Sequence, residues 1–223
     1  MSSTQAPTRP ARTGRLRHVV TVLSTAGFGV LLLLSDLLDP VGDGTAENLL
    51  SAATSNSGAL TTSSLLLLFS SVLLIPATVA IVRLTPARGA AFANAGAVLL
   101  VMGALGHAMA ATFYLVVAAL PGTGLSEPDL AGVVQYLNEA PSLAVSFLFI
   151  VSFGFGLLLA FIGLKRAGVV PLWVLGAVIA AFLMEMAAPG GQAIAAVKQS
   201  LGVVAFGYLA YAMSRDPEPT QPE

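Results

Sequence analysis

The sequence contains no cysteine, two histidines, one tryptophan and few charges. Without cysteine there is no disulfide, no thiol nucleophile, no iron–sulfur cluster and no cysteine zinc site. The absence also suits loops that face an oxidising exterior. Charged residues are 9% of the 223, where a soluble domain carries about a quarter. The net charge of -1 gives no reason to expect a nucleic-acid partner.

What is present is apolar. Hydrophobic residues make up 56% of the chain, with a mean hydropathy of +0.87. Long uncharged runs then read as bilayer spans. The expected fold is all-α: a polytopic membrane bundle of six transmembrane helices within residues 15–214, with short amphipathic helices in the outer loops. The spans are Val19–Leu38, Ser63–Val82, Phe92–Leu120, Pro141–Leu164, Val170–Ala188 and Ala193–Met213. Each approaches or exceeds the roughly 20 residues that cross ~30 Å of hydrocarbon. The third is long enough to require tilt or a protruding end. Residues 1–14 and 215–223 read as disordered cytoplasmic tails.

Orientation follows from the basic residues. Arg9, Arg12, Arg15, Arg17, Arg83, Arg88, Lys165, Arg166 and Arg215 all fall on one side of six alternating crossings. The opposite connections carry Asp39, Asp43, Glu47, Glu127, Asp129 and Glu139 and no basic residue. Both termini are therefore expected in the cytoplasm and the chain in the cell membrane. The first span has the basic flank of a signal peptide, but Ser35-Asp36-Leu37-Leu38 is a poor cleavage site, so it is expected to stay.

Two outer loops resemble each other. Residues 126–137 carry a Ser N-cap, an Asp three residues on, and apolar Leu130, Val133, Val134 and Leu137, the pattern of a capped amphipathic helix. Residues 45–53 are a shorter version. The ends of spans one and five also match: Asp36 precedes Pro40 by four residues, as Glu185 precedes Pro189. Three related helical hairpins would explain this, and so would the ordinary habit of prolines ending helices.

Four ionisable residues lie within or at the edge of spans: Asp36, His107, Glu185 and Lys198. Such groups are costly in hydrocarbon and mark candidate sites. Helical rise puts Asp36 about 26 Å and His107 and Glu185 about 22 Å from the basic side, with Lys198 about 7 Å below the outer one. All four converge on the outer third of the bilayer. Small residues share their faces: Gly96, Gly103 and Ala110 with His107, Ala177 and Ala181 with Glu185, Ala195 and Gly202 with Lys198. These are faces where helices approach closely. Spans five and six are joined by a short turn, which favours a Glu185–Lys198 ion pair.

Several roles fit these residues. The plainest is structural, with the ion pair fixing helix register, His107 neutral on one carbonyl and Asp36 reaching the headgroups. As a site, the cluster would bind a small molecule, ion or lipid from outside, or relay protons. An enzyme on a lipid or isoprenoid substrate would use Glu185 and His107 as acid and base. Gly154-Phe155-Gly156 is not a phosphate loop, however, and no serine stands in a nucleophile elbow. A regulatory subunit or homo-oligomer would use the glycine spacings Gly96/Gly103 and Gly156/Gly163 against a membrane partner. His18 lies at the opposite end from His107, so no haem, metal or other cofactor is expected.

Leu74-Ile75-Pro76, Leu105-Gly106-His107-Ala108 and Glu185 together resemble uncharacterised six-span bacterial membrane proteins that carry a domain of unknown function. The resemblance covers most of residues 15–214. It implies the fold type and a membrane location, and no reaction.

Overall fold

The computed structural model describes residues 12–42, 45–187 and 192–215. Its elements are α1 (Arg12–Leu38), α2 (Ala46–Ser55), α3 (Ser57–Arg83), α4 (Ala90–Ala119), α5 (Glu127–Asn138), α6 (Pro141–Arg166), α7 (Leu172–Ala187) and α8 (Gln192–Arg215). A single 3₁₀ turn, Leu120–Thr123, prolongs α4. Among the described residues there is no strand.

The long helices form a closed ring in chain order. α1 packs on α3, α3 on α4, α4 on α6, α6 on α7, α7 on α8, and α8 returns to α1. The α4–α6 seam is the most extensive and the α6–α7 seam the slightest. Glu185 meets Lys198 near one end of the last pair and Trp173 meets Tyr208 near the other, so α7 and α8 run antiparallel. The ring is solid inside. Phe28 of α1 packs edge-on against Phe206 of α8 and Phe153 of α6, and Phe206 against Phe161.

Outside, Leu65, Phe69, Val98, Phe147, Leu148 and Leu183 are exposed. A soluble protein rarely shows so much contiguous apolar surface. Among the described residues, five helices are long and apolar enough to cross a membrane: α1, α3, α4, α6 and α8. The fifth expected span is shorter. α7 is apolar but has 16 residues, about 24 Å of rise. The end assigned to it at Ala188 lies outside the described residues, as do the tail segments 1–11 and 216–223. α1 begins at Arg12, inside the segment read as a tail.

Close packing explains the glycines of the α4–α6 seam. On α4, Gly96 faces Ala160 and Gly156; on α6, Gly156 faces Leu100 and Gly163 faces Ala93. A Cβ on Gly96 would lie 2.5 Å from the Ala160 nitrogen, and one on Gly156 2.7 Å from the Leu100 nitrogen. These backbones touch because neither side has a side chain in the way. The glycine faces are thus spent within one chain.

Serine hydroxyls add to the seams. Ser146 Oγ donates to the Gly106 carbonyl at 2.9 Å, and Ser35 Oγ to the Ser63 carbonyl at 2.8 Å, both buried. Interhelical bonds of this kind are worth about 0.6 kcal/mol in a membrane bundle. Ser146→Ala is expected to cost that much, and Ser152→Ala, whose exposed hydroxyl bonds its own helix, still less. Unfolding midpoints in mixed micelles check the order.

The amphipathic helices form a cap over one side of one end. α2 and α5 pack on each other, and α2 also packs on α3 and α4. They enclose a second core of Val41, Leu49, Ala53, Leu60, Val117 and Val134. The last turn of α4 supplies Val117 to it. Thr45 caps α2 by accepting the Asn48 N–H at 3.3 Å. Ser126 stands at the N-cap of α5, but its hydroxyl donates to Asp129 at 2.5 Å and takes no backbone N–H.

Candidate functional site

The expected residues come together beside the cap. Asp36 lies two residues before the end of α1, Glu185 two before the end of α7, and Lys198 in the second turn of α8. Three helices thus deliver three charges to one level. Lys198 Nζ is 2.5 Å from Glu185 Oε2 and 3.9 Å from Asp36 Oδ2. The side chains of Lys198 and Asp36 are 21% and 27% exposed, whereas Glu185 is 52% exposed. The inner pair is therefore sheltered and Glu185 forms the accessible rim.

Asp36 is held toward α8. Gln199 Nε2 donates to its Oδ2 at 2.7 Å, on the same oxygen that faces Lys198. Gln199 is a site residue that sequence reading missed. Its only signal is that it follows Lys198 in a polar break, Lys198-Gln199-Ser200, within an apolar helix.

His107 approaches from α4. Its ring stands edge-on to Phe153 at 5.0 Å between centroids. Lys198 and Glu185 are near enough for their charges to act on it. Its Nδ1 is buried and has no hydrogen-bond partner, so the single carbonyl bond expected for a purely structural histidine is not made at that atom. A turn or two further along α4, Tyr114 feels the charges of Asp36 and Asp39 and packs its ring against the core of the cap. Asp39 just follows α1, and its Oδ1 accepts the Val41 N–H at 3.0 Å. Burial holds the Asp39 carboxyl above the usual carboxylate range, against the lowering effect of that bond.

The charges do not cancel. Asp36 and Glu185 share one ammonium, so the triad carries one negative charge in excess when both acids are ionised. The partnerless imidazole nitrogen adds an acceptor or a proton carrier. Such an arrangement is suited to holding one more positive charge. Among the described residues, no three His, Asp or Glu side chains converge as a metal site. No protein-family model matches the chain, and neither a curated protein nor a solved structure matches it.

Proposed function

We propose that this is a multi-pass protein of the cell membrane, with six crossings and both termini cytoplasmic, that binds a small cation, the proton included, at a site open to the outside. The partition of basic and acidic connections supports the orientation. The observation that carries the function is the shared ammonium: Lys198 lies between Asp36 and Glu185 and leaves their charge only half compensated. Lys198 acts as a tethered cation in the resting site. A mobile cation arriving at the exposed Glu185 competes with it, and His107 lies near enough to feel the charges of both Lys198 and Glu185.

The enzyme and partner readings have less support. The first would use Glu185 and His107 as acid and base, with no motif beside them that names a reaction; the second needs a free close-packing face. The glycines that would furnish such a face on α4 and α6 are occupied within the chain.

Proteoliposomes with an entrapped pH indicator test the proposal. An imposed pH gradient is expected to drive proton flux through the wild type, and Glu185→Gln to abolish it, with the protein still monodisperse. Flux that is unchanged in Glu185→Gln would remove the relay. A wild type that is silent to protons but stabilised by methylammonium or sodium would point to the cation-binding branch.

A further inference from the structure

A groove of about 550 Å³ opens on the outer wall of the ring between α3 and α4, away from the charged cluster. Val79, Val82, Val98, Val101 and Met102 line it, and Arg83 stands at its end. Val79, Val98 and Val101 are exposed, and Thr78 adds no free polarity because its hydroxyl bonds the Leu74 carbonyl at 2.8 Å. Short, branched side chains on both helices leave a furrow that longer residues would fill.

The furrow is apolar and short: its lining runs from Thr78 to Arg83 on α3 and from Ala97 to Met102 on α4, five residue steps or about 7.5 Å of rise on each helix. That is about half of the ~15 Å depth of one leaflet, room for the first several methylenes of an acyl chain, with the cation of Arg83 at one end. Arg88 follows in the adjoining connection, and Arg166 stacks on Phe92 in the first turn of α4, 5.1 Å from the ring centroid. No described carboxylate pairs with Arg83 or Arg88. An acyl chain matches the wall, and a headgroup with net negative charge matches the end.

We infer that this groove is a binding site for an anionic phospholipid of the leaflet on the basic side, with one acyl chain along α3 and α4 and the phosphate at Arg83. The inference rests on the proposed membrane orientation and is independent of the cation site.

Native mass spectrometry of the delipidated protein, given equimolar phosphatidylglycerol and phosphatidylcholine, tests it. The wild type should retain one phosphatidylglycerol per chain, preferred about five-fold, the factor that one interfacial arginine supplies. Arg83→Gln should bring the two lipids close to parity. Val98→Phe should fill the furrow and lose the retained lipid without lowering the unfolding midpoint in detergent. Equal retention of both lipids by the wild type would overturn the inference. So would a preference unchanged in Arg83→Gln, or a dimer of the chain in place of the lipid adduct.

Discussion

Replacing Gly96 by leucine will separate α4 from α6 and cost the protein about 3 kcal/mol or more. Even alanine is costly there, because its Cβ would lie 2.5 Å from the Ala160 backbone nitrogen, which cannot swing aside, and 2.7 Å from the Gly156 carbonyl oxygen of the same helix. Gly156 meets the reciprocal obstacle at Leu100. Relief requires the two backbones to part along the most extensive seam of the ring. Gly176 and Gly207 provide the contrast. Nothing lies within 4 Å of a Cβ built on either, so alanine there is expected to be neutral, or to stabilise by up to about 1 kcal/mol through helix propensity. Unfolding midpoints and the monodisperse fraction after detergent extraction read both outcomes. Equal behaviour of Gly96→Ala and Gly207→Ala would refute the close-packing account.

Removing Lys198 is the second large change. Lys198→Met leaves Asp36 and Glu185 facing each other without a counter-charge. Breaking a fully buried pair costs about 3–5 kcal/mol. Partial exposure reduces this, and about 2 kcal/mol is expected. Glu185→Gln should cost less than about 1 kcal/mol, since Glu185 is half exposed. Asp36→Asn should be mild for another reason: Lys198 keeps Glu185 at 2.5 Å, and an amide can still meet Gln199. The double variant Asp36→Asn/Lys198→Met should recover most of the loss of Lys198→Met. That recovery, measured as a coupling energy in a double-mutant cycle, separates a charge effect from lost packing of the lysine stem.

Much of this architecture is legible in the chain because polar residues are so scarce. An acid or a lysine inside an apolar run stands out, so Asp36, His107, Glu185 and Lys198 are visible before any fold is known. The structure brings Asp36, Glu185 and Lys198 together, with the Glu185–Lys198 pair as expected, and sets His107 near enough to feel the charges of Glu185 and Lys198. Gln199 is silent because an uncharged amide breaks no charge pattern. Its value appears only when α8 is laid against α1. Helix ends are also hard to read. Ser57–Thr62 looks like loop, yet α3 begins there. The hydroxyls of Thr62 and Ser64 fold back onto the carbonyls of Gly58 and Leu60, which makes polar residues tolerable in a helix. The amphipathic loop helices are visible as patterns, but their mutual packing is not. An apolar stripe fits a headgroup layer as well as it fits a neighbouring helix, and tertiary contact decides.

The ring closes where the chain's first and last helices meet, and that closure sets a schedule. A helix made early neighbours the next one made, so most seams can form as synthesis proceeds. Asp36 is different, because its partners Lys198 and Gln199 emerge only with α8. Until then it is a lone carboxylate near the end of α1. Its pairing therefore waits for α8, and a nascent chain stopped before α8 carries an acid whose counter-charge has not yet been made.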